Sequence, residues 1–326
     1  MASRREFLRM GLGAGAALRL ATLPGVSFAA AGGGESRLVV VILRGALDGL
    51  SAVPPYGDRD YAAARGPLAI RPPGEPQGAL DLDGFFGLHP ALTGLHERWQ
   101  ARELIVVHAT ASPYRERSHF DGQNVLENGG DRPSGAASGW LNRALGTLPP
   151  PGAQGLALGQ NVPLILRGPA AVGSWAPSLL PEVEPDLIAR LRDLYSDDAT
   201  LAARLDEATR IGALADADGG NDPAAQQKMA RAGDGARLRA IAESAGRMLA
   251  AADGPRVAVM DAGGWDTHAG EGGADGQLAG RLRTLDDALA ALRTGLGTAW
   301  AQSAVLVCTE FGRTVEANGK IGRAHV

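Results

Sequence analysis

Five short runs of the chain are almost continuously apolar, and they constrain the fold more than any other feature. They occupy residues 38–43, 104–107, 162–166, 257–260 and 304–308. A strand with one wet face alternates apolar and polar residues. These runs do not alternate, so they predict strands of a parallel sheet covered on both faces. Helical patterns lie between them. One spans residues 91–102. In another, Leu278, Leu282, Leu285, Leu289, Leu292 and Leu296 recur every three or four residues and give one apolar stripe. Strands alternating with helices predict an α/β fold. Residues 181–254 hold no strand-like run and are rich in Ala, Asp, Arg and Leu. They read as a helical insertion or a cap on the sheet.

The first thirty-one residues do not belong to that pattern. Arg4 and Arg5 stand before Phe7 and Leu8, an apolar Gly/Ala-rich stretch follows from Met10 to Leu23, and residues 27–31 are small around Phe28. A charged start, a short apolar middle and a small-residue cleavage site define an export signal. Paired arginines mark the twin-arginine type. The apolar stretch is shorter than the roughly 20 residues a spanning helix needs, and Arg19 interrupts it. The expectation is a cleaved signal over residues 1–31, export by the twin-arginine machinery, and a periplasmic or secreted product with no later membrane segment. That route carries folded cargo, often loaded with a cofactor beforehand.

Composition narrows the partners. Net charge is −4 and the pI is near 5.9, so no basic excess exists to displace counterions from a nucleic acid. Cys308 is the single cysteine, which excludes an internal disulfide; it ends an apolar run and reads as a small buried hydrophobe.

In open α/β sheets ligands bind beyond the carboxyl ends of the strands, and polar clusters follow four of the five runs here. Asp48 follows the first, where it fits either a metal ligand or a helix N-cap. The segment 112–123 follows the second and packs Arg115, Arg117, Ser118, His119 and Asp121 together. A hydroxyl beside a possible ligand, with arginines near, suits attack on an anionic ester; a solvated loop with a capped helix fits as well. Asp266 and His268 follow the fourth run beside Gly263 and Gly264, a spacing that suits a metal. Glu310 leaves the last run. His89 reads as loop packing, and His96 and His108 as structural.

These segments together resemble one family. Residues 44–50 (RGALDGL), 87–92 (GLHPAL), 112–123 (SPYRERSHFDGQ), 138–143 (SGWLNR), 264–268 (GWDTH) and 309–314 (TEFGRT) follow in order the pattern of DUF1501, a family of exported bacterial proteins. The resemblance implies a three-layer α/β/α domain with a mostly parallel central sheet, similar to alkaline phosphatases and sulfatases, over residues 32–319. It implies one or two divalent metals (zinc, calcium or magnesium) held by Asp and His at strand ends. Asp48, Asp266, His268, Glu310, His119 and Asp121 are the ligand candidates. Ser118 lies near the nucleophile position, with Arg115 and Arg117 beside it to hold the anion. Glu310-Phe311 stands where those enzymes place an Asp-His pair, which removes one expected ligand. The family pattern also continues past residue 319 with a Gly-Thr-Asp-His-Gly-like motif and further strands. Residues 320–326 depart from it and read as a non-native tail on an incomplete domain. The implied function is metal-dependent hydrolysis of phosphate or sulfate esters, on an anionic ester or polysaccharide substrate. The alternative is a non-catalytic exported binding or assembly protein that keeps the fold.

Overall fold

The computed structural model describes residues 36–148, 154–179, 183–216, 223–267 and 270–316. Residues 1–31, read above as an export signal, His268 and residues 320–326 lie outside them. Among the described residues no helix is long and apolar enough to cross a membrane.

The centre is a five-stranded, wholly parallel sheet. Its strands are β1 (Arg37–Leu43), β4 (Gly155–Leu158), β5 (Val172–Trp175), β6 (Val257–Ala262) and β7 (Ser303–Thr309), in the order β5-β4-β6-β1-β7. A two-stranded antiparallel piece, β2 (Leu80–Asp81) with β3 (Gly87–Leu88), stands apart. The earliest strand thus sits between the two latest. Val40 pairs with Val259 on one side and Leu306 on the other.

β1 is the buried strand its sequence predicts: Val39 to Leu43 are all essentially inaccessible. Their side chains alternate between two apolar layers. Val39, Val41 and Leu43 join Leu156, Ala258 and Met260 beneath α7 (Ala199–Asp216), α9 (Asp234–Ala250) and α10 (Gln277–Leu296). Val40 and Ile42 join Ala157 and Val259 beneath α5 (Trp140–Leu145), with α4 (His119–Asn128) beside it. Helices therefore cover both faces, which is why the strands need no polar face. Each buried Val or Ile side chain contributes about 1.5–3 kcal/mol. The six leucines of the α10 stripe are all buried.

α9 and α10 approach closely because glycines face each other. A Cβ on Gly246 would sit 2.5 Å from the Leu292 carbonyl oxygen, and one on Gly295 would sit 2.2 Å from that of Glu243. The backbones themselves form this contact.

Two expectations need correction. Residues 104–107 are not a strand. Leu104 and Val106 pack on the core, while Ile105 and Val107 are exposed; no described strand lies beside them to complete a ladder. Residues 162–166 are not a strand either. Pro163 has no N–H to give a ladder, and Leu164–Leu166 forms a 3₁₀ turn that lays Ile165 and Leu166 on the sheet. The strands of that region are β4 and β5, whose four-residue sequences each contain a Gly. The described residues between 183 and 254 are mostly helical, as expected. α6 (Pro185–Leu194) buries no residue, and α8 (Pro223–Arg231) adds a partly buried Met229. α9, by contrast, belongs to the core layer. The remaining helices, α1 (Gly49–Ala52), α2 (Tyr61–Arg65) and α3 (Thr93–Gln100), lie on the connection from β1 toward α4.

Candidate functional site

The strand order brings the carboxyl ends of β6, β1 and β7 side by side, and α4 crosses above them. Glu310, one residue past β7, is the centre of this edge. It is 1% exposed, yet its Oε1 accepts from the Gly45 N–H (2.9 Å), from His119 Nδ1 (2.8 Å) and from Gln123 Nε2 (3.2 Å). Oε2 lies 2.9 Å from Thr309 Oγ1. Burial alone would raise this carboxyl; the hydrogen bonds, led by His119, outweigh it and hold Glu310 below its ordinary range. An ionised Glu310 requires a proton on His119 Nδ1, which leaves Nε2 as the basic nitrogen. That nitrogen lies 3.6 Å from Asp266 Oδ2. Phe311 packs against the imidazole, ring centroids 4.9 Å apart. Gly122 makes room for it, since a Cβ there would sit 3.0 Å from the Phe311 ring.

Arg313 locks the loops together. It is buried; Nε donates to the Ala46 carbonyl (2.8 Å), and Nη2 donates to Gly45 O (3.2 Å), Trp265 O (3.1 Å) and Asp266 Oδ1 (3.0 Å). It therefore holds Asp266 against the loop that follows β1. Gly45 serves the same closure. Its φ is +122°, and a Cβ would meet the Asp266 nitrogen at 2.5 Å; only glycine lets the β1 and β6 loops touch there.

Arg44 continues the network along α4. Nη1 donates to Gln123 Oε1 (3.0 Å) and Glu127 Oε1 (2.8 Å), and Nη2 pairs with Asp261 Oδ1 (3.0 Å). Burial pushes the Asp261 carboxyl up, and Arg44 pulls against it. His119, Gln123 and Glu127 are spaced by four on one helix, so they form one stripe over the sheet edge.

Asp48 is elsewhere engaged. It caps α1, with Oδ1 accepting from the Leu50 (3.0 Å) and Ser51 (3.3 Å) amides, and Oδ2 accepts from Ser51 Oγ (3.1 Å) and from Arg65. Arg65 also donates to the carbonyls of Thr314 and Val315, both at 3.2 Å. Glu271, buried, hydrogen-bonds to Asp48. Two carboxyls can share such a bond only with a proton between them. Burial first, then Asp48, pushes Glu271 well above the usual carboxylate range.

Of the predicted residues, the fold thus brings together His119, Asp266 and Glu310. Asp48 belongs to a neighbouring ion-pair cluster. Ser118 is the N-cap of α4, its Oγ accepting from the Asp121 amide at 3.3 Å. Asp121 sits in the first turn of α4, where its amide donates to Ser118 Oγ. Arg115 is exposed and donates to the carbonyls of Ser112 (2.5 Å) and Tyr114 (3.0 Å); Arg117 is exposed as well. His89 is loop packing: Nδ1 accepts from the Ala91 amide and Nε2 donates to the Gly273 carbonyl, both at 3.0 Å. Among the described residues no three His, Cys, Asp or Glu side chains group closely enough to enclose a metal.

Sequence reasoning did not single out Arg44, Gln123, Glu127, Arg65 or Glu271. The i, i+4, i+8 spacing of His119, Gln123 and Glu127 was the signal available for α4. Arg65 and Glu271 gave none, because both reach Asp48 only through the tertiary fold.

No curated protein and no solved structure matches the chain. A family model does match, that of a protein of unknown function, over residues 35–326, nearly the whole chain. The chain belongs to the DUF1501 family.

Proposed function

We propose that the chain is an exported hydrolase of phosphate or sulfate esters with an alkaline phosphatase-like fold, and that His119, Glu310 and Asp266 form its reactive centre. One observation carries the reading: a wholly buried carboxylate holds the His119 Nδ1 proton at 2.8 Å. The imidazole is thereby fixed in one tautomer, with Nε2 turned toward Asp266. The parallel sheet with helices on both faces and the strand-end location of these groups support the fold assignment by analogy. The twin-arginine sequence at residues 4–5 supports export to the periplasm or beyond.

His119 and Asp266 would hold a divalent metal. An imidazole nitrogen backed by a carboxylate, beside a second carboxylate, supplies two donors of the kind that zinc takes; calcium and magnesium favour oxygen alone. The ion would supply polarisation of the ester oxygen and a lowered pKa for the attacking water. The protein residues do the rest. Glu310 keeps the tautomer, Arg313 fixes the Asp266 carboxylate, and His119 Nε2 faces the site. Ser118 Oγ is engaged as the cap of α4, accepting from the Asp121 amide, and the reading takes water as the nucleophile.

The alternative, a non-catalytic exported binding or assembly protein, draws on Phe311 filling a position where a ligand was expected. Metal analysis of the full-length protein separates the two, together with turnover of 4-nitrophenyl phosphate and 4-nitrophenyl sulfate. Stoichiometric zinc, lost in His119→Ala and Asp266→Ala, with ester turnover in the parent, supports the hydrolase. A metal-replete parent that turns over neither ester overturns it.

A further inference from the structure

A polar cleft adjoins the His119 centre, with a volume of about 330 Å³, the lower end of the usual range for a small-molecule site. Gln123 is the shared wall: its Oε1 faces Arg44 in the cleft, and its Nε2 donates to Glu310 in the centre. Arg44 forms the floor. Phe120, the residue after His119, stands at the rim and is 81% exposed. The opposite wall comes from the loop after β4, with Asn161 and Arg167 exposed.

Two features decide what such a cleft takes. Its charges balance, Arg44 and Arg167 against Glu127 and Asp261, and the Arg44 guanidinium is already shared among Gln123, Glu127 and Asp261. That leaves no excess positive charge for an anion. Of the remaining groups, Asn124 and Asn161 are planar amides, which present paired donors and acceptors, Val162, Pro163 and Leu164 are apolar, and the Phe120 ring at the rim is one that packing does not use. An apolar ring face over amide and carboxylate edges matches a sugar, whose C–H face stacks and whose adjacent hydroxyls both donate and accept.

We propose that this cleft binds a neutral sugar ring, the alcohol portion of the ester. The second clause rests on the hydrolase reading; the binding itself does not. An ester bound this way would present its anionic group across Gln123 to His119 and Asp266.

The test is saturation-transfer NMR on the full-length protein with the methyl glycosides of glucose, galactose, mannose and fucose. 4-Nitrophenol serves as an aromatic control. Phe120 and Asn161 are exposed, so Phe120→Ala and Asn161→Ala leave the fold intact. The expected result is transfer to at least one glycoside, with affinity at least about tenfold weaker in each variant. Transfer to no glycoside overturns the proposal. So does transfer to 4-nitrophenol alone, or glycoside binding unchanged in both variants. A parallel turnover assay keeps the two readings apart. Glycoside binding without turnover of any ester leaves the cleft assignment standing and removes the hydrolase; turnover of aryl esters without glycoside binding does the reverse.

Discussion

His119 donates its Nδ1 proton to Glu310 at 2.8 Å, and Glu310 is buried beneath four hydrogen-bonding groups drawn from β1, α4 and β7. The pair is therefore set by the whole strand edge rather than by one loop. Glu310→Gln keeps the shape but removes the charge that fixes the tautomer. Metal affinity or ester turnover is expected to fall about 10–100-fold. Metal titration and kcat/KM on the purified variant measure this, and parent-level values would contradict it.

Asp48 caps α1 and pairs with the buried Arg65, so its expected role is structural. Asp48→Ala leaves Arg65 as a buried charge without its carboxylate, at a cost of about 3–5 kcal/mol. Calorimetry is expected to show a lower Tm, with metal content per folded molecule unchanged. Loss of metal at unchanged Tm would return Asp48 to the ligand set.

Glu271 makes stability depend on pH. Its folded pKa is raised from 4.5 to about 8, first by burial and then by Asp48. Between those values the native state binds more protons than the unfolded chain, so stability falls as pH rises through the window and levels off above it. The slope is at most about 1.4 kcal/mol per pH unit. Thermal melts from pH 5 to 9 should show this fall in the parent and a flatter profile in Glu271→Gln. Equal slopes in the two proteins would refute the assignment.

The α9–α10 contact has no room for a methyl group. Gly246→Ala and Gly295→Ala each press a Cβ into the partner backbone, and overpacking of this kind costs about 1–3 kcal/mol. Denaturant midpoints should drop for both variants, while Gly280→Ala, at an open position on α10, should not lower stability.

Much of this was legible from residues alone. The unbroken apolar run of β1 and the leucine spacing of α10 are buried as their periods require. Asp266 and Glu310 stand at strand ends as expected, because β6 and β7 are long and apolar enough to be read. Other parts were hidden for physical reasons. Residues 104–107 and 162–166 are apolar without being strands, because an apolar run marks burial and not a hydrogen-bonded partner. β4 and β5 are too short, and contain Gly, so no run betrays them. Asp48 was readable as cap or ligand. Arg65, seventeen residues on in an ordinary helix, decides for the cap, and only the tertiary fold brings them together. His119 emerged at the centre, rather than Ser118, because the stripe on α4 turns it toward Glu310 while Ser118 turns back to cap.

The most direct test of the account is kcat/KM for 4-nitrophenyl sulfate and phosphate, measured on the metal-replete full-length protein and on His119→Gln. Loss of the metal-binding imidazole should cost at least about 10²-fold on whichever ester is turned over, more than the loss of a group that only supports a ligand. A variant as active as the parent would contradict the placement of the reactive centre at His119.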